Sequence, residues 1–160
     1  MATEPLKTEQ SHTEPTVRQH SVFIENRVGQ LLRLTQLFDQ TDIRILAVSV
    51  VYCVDCAIAR MIVDDPDSAF ELLTGAGFRV SETELIVVSL PHGKRALLHT
   101  WAALLAAEIN IHYTYPMLVR PRNCAAIAIQ PDNIAQAVQT LRRKNFEVLT
   151  QADLLDARYD

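Results

Sequence analysis

The sequence predicts an α+β fold built from two consecutive β-α-β-β-α-β units, and three observations carry that prediction. The same landmarks occur twice at nearly constant spacing: Asp42-Ile43-Arg44-Ile45 returns as Glu108-Ile109-Asn110-Ile111, Pro66-Asp67 as Pro131-Asp132, and Phe78 as Phe146. Each copy opens on an apolar alternating stretch followed by leucines at helical spacing. At 160 residues, 49% of them hydrophobic, the chain can bury a real core but is short for two average domains, so two small units sharing an interface fit better.

In the first copy, residues 20–25 have strand composition and end at Asn26. Gly29 then opens a stretch with Leu31, Leu34, Leu37 and Phe38 at helical spacing, which predicts a helix with one buried face. Residues 43–52 are rich in β-branched side chains, and residues 57–63 follow after a short turn at Val54-Asp55, giving a central hairpin. Asp64-Asp65-Pro66-Asp67 suits a helix N-terminus, where acidic side chains meet the positive dipole end. That helix stops at Gly75-Ala76-Gly77, and residues 78–81 form the last strand.

The second copy begins with a strand over residues 85–90 and turns at Pro91-His92-Gly93. A helix carrying Leu97, Leu98, Trp101, Leu104 and Leu105 leads to a hairpin over 109–129 and a second helix over about 131–144. Asn145 takes the place of Gly77, which is reasonable because asparagine also tolerates the left-handed region. Glu82-Thr83-Glu84 is expected to separate the two copies. The domain reading is therefore a disordered N-terminal tail over 1–16, units over 17–83 and 84–152, and a C-terminal tail over 153–160.

This element order packs as a four-stranded antiparallel sheet with both helices on one face, the ferredoxin-like arrangement. The other face and the edge strands stay partly uncovered, so the two units are expected to pair side by side, or the chain to form a homodimer.

Composition excludes several classes. Fifteen basic against 19 acidic residues, without a long basic block, argue against nucleic acid. The polar, proline-containing first sixteen residues lack the apolar core of a signal peptide, and no later apolar run is long enough to span a bilayer, so a cytoplasmic protein is expected. Three cysteines fit reduced thiols; Cys53-x-x-Cys56 sits in a hairpin without a second such pair, so Cys53, Cys56 and Cys124 are expected to be ordinary buried or half-buried thiols. The histidines lack the i, i+4 pairing of a helical zinc site, and neither a nucleophile elbow nor a phosphate-binding glycine loop is present. No metal, cofactor or catalytic residue is expected, and a binding module is favoured over an enzyme.

Asn26-Arg27-Val28-Gly29-Gln30-Leu31 resembles the Asn-x-Pro-Gly-x-Leu loop of the ACT domain family, with Ile43-Arg44-Ile45 at that family's Ile-Asn-Ile position. Residues 55–60 and 62–66 are similar to the Asp-Phe-Gly-Ile-Leu-Arg and Ile-Val-Asp-Asp-Pro segments of small proteins with two such domains in tandem, and residues 109–115 to their Ile-Asn-Ile-Glu-Tyr-x-Tyr strand. The resemblance covers residues 17–152. Val28 stands where the family has proline, Cys56-Ala57 where it has Phe-Gly, and Gly93 is displaced by two residues from the place equivalent to Gly29.

The resemblance implies a regulatory, non-catalytic sensor that binds a free amino acid at an interface of paired units. A glycine turn opening a helix offers free N–H groups to a carboxylate, while nearby carbonyls accept from an ammonium. Candidate ligand-binding residues are Asn26, Arg27, Val28, Gly29, Gln30 and Leu31, with His92 and Gly93 in the second loop and Tyr113 and Tyr115, which share one side of a strand. Expected partners are the amino acid, a second copy of the chain and an enzyme of amino-acid metabolism. The alternative is a ligand-free interaction module or detached regulatory subunit of an amino-acid biosynthetic enzyme. Turning Gly29 into valine is expected to crowd the turn.

Overall fold

The computed structural model describes residues 14–159. Most of the expected N-terminal tail, residues 1–13, lies outside the described residues; Pro15 is buried and the first strand starts at Val17.

Repeat one contains strand β1 (Val17–Glu25), helix α1 (Gln30–Asp39), β2 (Ile45–Tyr52), β3 (Cys56–Val63), α2 (Pro66–Gly75) and the first part of β4 (Arg79–Ser89). Repeat two uses the rest of β4, then α3 (Ala96–Leu105), β5 (Ile111–Pro116), β6 (Val119–Arg120), β7 (Ala126–Pro131), α4 (Ile134–Arg143), β8 (Val148–Leu149), α5 (Gln151–Leu155) and β9 (Arg158–Tyr159). Helix boundaries follow local chemistry. The Asp65 carboxylate accepts from the Ser68 amide at 3.1 Å with Pro66 at the first helical position, and the Asn133 side chain caps α4 in the same way at 3.0 Å. Gly77 and Asn145 both take the left-handed conformation that closes the preceding helix, with φ of 85° and 61°.

All strand pairs of the main sheet are antiparallel, in the order β2-β3-β1-β4-β7-β5, with β8 also on β4. The side-by-side pairing of the repeats takes the form of a shared strand. Residues 79–85 of β4 pair with β1, and residues 86–89 with β7 and β8. Glu82-Thr83-Glu84, expected as a separator, is mid-strand, opposite His20, Gln19 and Arg18. Along one edge of β4, β1 gives way to β8 (Val17 faces Leu85, Leu149 faces Val87). Gln151 bridges the changeover: its Oε1 accepts from the Arg18 amide and its Nε2 donates to the Val63 carbonyl at 3.0 Å.

Strand alternation sorts the core into three parts. Val22 and Met61 pack against Leu34 of α1 and Leu73 of α2, while Ile86, Val88 and Ile129 pack against Leu104 of α3 and Leu141 of α4. The helix-free faces meet in a third core, to which repeat one gives Val17, Ile62 and Leu85, and repeat two gives Val87, Tyr115 and Ala128. Helices therefore flank a pair of opposed sheet halves joined through β4.

One further expectation needs correction. Residues 153–160 are not a free tail over their described part: Leu154 and Ala157 are buried in the inter-repeat core, and the Tyr159 hydroxyl donates to the Ile45 carbonyl at 2.6 Å. Polar residues 158–160 disguise a segment whose apolar anchors lie just upstream. The expected second hairpin is present as the antiparallel pair β5–β7, with β6 and a 3-10 turn at Pro121–Asn123 between its strands, and β6 pairs with β9.

Candidate functional site

β1 ends at Glu25 and the chain turns through 26–29 into α1. Gly29 occupies the N-cap at φ 87°, and its carbonyl accepts the first helical bond from the Arg33 amide at 2.9 Å. No side chain caps this helix, so the amides at its head keep no side-chain acceptor and the positive dipole end is open. Arg27 forms an ion pair with Glu25. Asn26, Arg27, Val28, Gly29, Gln30 and Leu31 line a hollow of about 260 Å³ together with Ile24, Glu25, Tyr52 and Ala57. The polar part offers the Arg27–Glu25 ion pair, the amide side chains of Asn26 and Gln30, and the amides of the first turn of α1 beyond Gln30, whose own N–H donates to the Arg27 carbonyl at 3.4 Å; Tyr52, Ile24 and Ala57 supply an apolar wall. Such a set can hold a small zwitterion by both its charges. Val28 is fully exposed and Tyr52 largely so.

The second loop is built differently. Gly93 also has positive φ, 107°, but the N-cap of α3 is Arg95 in an ordinary conformation. Pro91 and His92 line a hollow of about 360 Å³ with His99, Cys124 and the α4–β8 turn, Lys144, Asn145, Phe146 and Glu147. The two-residue displacement of Gly93 thus corresponds to a helix head without the left-handed cap seen at Gly29.

Tyr113 and Tyr115 lie at neither loop. They point between the repeats, rings 6.4 Å apart, and both hydroxyls meet Gln19 of β1. The Gln19 side chain is fully buried; its Nε2 donates to the Tyr113 hydroxyl at 2.8 Å and to Thr83 Oγ1 at 3.0 Å, and its Oε1 accepts from the Tyr115 hydroxyl at 2.5 Å. Burial pushes the Tyr115 phenol up, so it stays a neutral donor. The Arg60 guanidinium sits 3.9 Å above the Tyr113 ring. The candidate residues therefore occupy three separate places.

Gln19, Tyr52, Arg60 and Thr83 were not anticipated. The available signal was polar Gln19 and Ser21 on one parity of an otherwise apolar strand. Cys53 is exposed, against expectation, because it closes the β2–β3 turn through its amide to the Cys56 carbonyl at 2.8 Å; Cys56 and Cys124 are half-buried. Among the described residues no group of histidine, cysteine and carboxylate side chains could hold a metal, and no helix is long and apolar enough to cross a membrane.

The family model described as ACT domain pair matches residues 15–157. Among solved structures, the chain is similar to protein BT0572 from Bacteroides thetaiotaomicron at 29% identity and TM-score 0.81, over 89% of this chain and 98% of that one. It also shares its fold with the ligand-free regulatory subunit of aspartate kinase from Thermus thermophilus, at 12% identity and TM-score 0.56, over 81% of this chain and 91% of that one. The regulatory subunit of aspartate kinase from Thermus flavus has the same fold, at 12% identity and TM-score 0.52, over 81% and 92%. No curated protein matches the chain.

Proposed function

We propose a sensing function from one premise: this chain belongs to the ACT domain pair family. Its role on this reading is regulatory and non-catalytic. A free amino acid binds in the hollow formed by residues 26–31 with Tyr52, and the bound state changes how the protein pairs with a second copy or with an enzyme of amino-acid metabolism in the cytoplasm. The observation that carries this is the uncapped head of α1 opening from a left-handed Gly29 into a hollow walled by Tyr52 and Ile24. The carboxylate would sit at the amides of α1, and the ammonium near Glu25 and the loop carbonyls. Partnership with a metabolic enzyme draws support from the shared fold with regulatory subunits of aspartate kinase.

Thermal unfolding against each of the twenty amino acids tests it. A ligand at a hundred times its dissociation constant adds about 2.7 kcal/mol to the folded state. A selective rise in Tm that is lost in a folded Gly29→Val variant is the expected outcome. No rise with any amino acid would leave the interaction-module reading as the better one.

A further inference from the structure

The outward face of α3 is apolar and uncovered. Leu97, Leu98 and Leu105 are 47%, 62% and 76% exposed, and none of them joins a core. With exposed Ala102 and half-buried Trp101 they form one stripe, since positions 97, 101 and 105 fall one above another and 98 and 102 lie beside them. Thr100, Ala103 and Leu104 face the protein instead. The helix in the same place of repeat one, α1, exposes Arg33, Thr35, Gln36 and Asp39, with Leu32 as the apolar exception. The apolar stripe thus belongs to repeat two alone.

The ends of α3 carry the wrong charges for an isolated helix. Lys94 and Arg95 precede it, at the positive end of the dipole, while Glu108 follows it at the negative end. Both placements oppose the helix's own dipole. Both are complemented when a second α3 lies antiparallel, because Lys94 and Arg95 then face the other helix's C-terminus and Glu108. We propose that α3 is the surface through which two copies of this chain associate, packing antiparallel about a two-fold axis near Trp101 and Ala102. In that register Leu98 of one copy meets Leu105 of the other. The N-terminal residues 1–13 are a poorer occupant, having Met1, Ala2 and Leu6 as their only apolar side chains besides Pro5.

This names the surface for the self-association in the proposed function and rests on that reading only for the pairing of copies. It does not depend on amino-acid binding.

Sedimentation equilibrium of the full chain over a range of concentrations is the test. The expected result is a dimer whose dissociation constant rises at least tenfold on Leu98→Glu with Leu105→Glu, the melting curve staying cooperative. The pair Lys94→Glu and Arg95→Glu also weakens the dimer, most at low salt, and adding Glu108→Lys restores it because each end again meets its opposite. In a background with Cys53, Cys56 and Cys124 replaced by serine, Leu98→Cys with Leu105→Cys forms a covalent dimer under oxidation, whereas Leu98→Cys alone does not. A wild-type chain that stays monomeric overturns self-association altogether, leaving the ligand reading to the thermal screen. A dimer indifferent to Leu98→Glu and Leu105→Glu overturns the α3 assignment alone, and covalent dimerisation by Leu98→Cys alone overturns the antiparallel register.

Discussion

Gln19→Leu is the sharpest probe of how the repeats hold together. The replacement keeps about the same volume, so its cost is almost entirely polar. Tyr115 is only 5% exposed, so its hydroxyl, now 2.5 Å from Gln19 Oε1, is left unpaired at a cost of about 1–3 kcal/mol. Tyr113 and Thr83 lie nearer solvent and lose bonds that water partly replaces, about 0.5 kcal/mol or more each. The total is about 2–4 kcal/mol. Tyr115→Phe alone strands the Gln19 carbonyl oxygen and costs about 1–2 kcal/mol, but in the Gln19→Leu background it removes an orphaned hydroxyl and is neutral or stabilising. Urea unfolding of all four proteins then gives a coupling energy of about 1–3 kcal/mol. Far-UV circular dichroism follows both repeats, and fluorescence of the single tryptophan, Trp101, follows repeat two, so coincident curves check that the chain unfolds as one unit. A coupling below about 0.5 kcal/mol would refute the argument, since it would mean the network contributes nothing beyond its separate parts.

Gly29→Val acts first through the backbone, since a Cβ at that position meets nothing within 4 Å while the left-handed φ of 87° costs about 1–2 kcal/mol, and Gly29→Asn costs less. Equal denaturation midpoints for the two variants would contradict this. Leu154→Ala is expected to cost about 2–5 kcal/mol in urea unfolding, because Leu154 is fully buried between the repeats; a loss below about 1 kcal/mol, the ordinary surface range and a little more, would mean α5 is loosely held. His20 is buried against Glu82 at 3.0 Å, and burial lowers its pKa, outweighing the attraction of that carboxylate. Its stabilising contribution is therefore complete above the unfolded value of about 6.5 and is lost as pH falls from there toward the depressed folded value, so His20→Gln should flatten the acid limb of stability against pH. A wild type that gains stability on acidification through that window would show the carboxylate dominating. Small-angle scattering should give the same radius of gyration with and without a bound amino acid when measured on a variant locked as monomer; a clear change would mean the repeats hinge.

The signals legible in the sequence were local ones. A glycine between a strand and a leucine-periodic helix, an Asp-Pro helix start and an asparagine closing α4 each depend on a few adjacent residues, and Gly29, Asp65 and Asn145 occupy the conformations or capping positions such residues favour. What stayed hidden depends on distant partners. Glu82-Thr83-Glu84 has the composition of a linker, yet Glu82 binds His20, Thr83 binds Gln19, and the three residues pair with a β1 segment that is itself polar. Cross-strand complementarity of this kind is invisible to a window that slides along one strand. Likewise Thr150 and Asp153 form a capping box, but α5 has only five residues and is held by Leu154 in the inter-repeat core. The candidate site was legible only for the loop itself; Tyr52 reaches it from the far end of β2.

The shared strand bears on how a signal could leave that loop. Swinging one repeat against the other would require β4 to bend at residues 85–86, where one partner strand hands over to the next, and would tear Gln19 from Tyr113 and Tyr115. A slip of β1 along β4 is no easier, since one residue of slip turns every buried side chain of the strand to the opposite face. From Gln19 to the end of β1 at Glu25 is about 20 Å of strand, paired on both sides over most of that length. A rigid β1 ending in an open loop places the adaptable part of repeat one at residues 26–29 and at the head of α1. On the proposed reading, occupancy there would change the surface that the loop and Tyr52 present to an enzyme partner, without disturbing the joined sheets beneath or the face of α3.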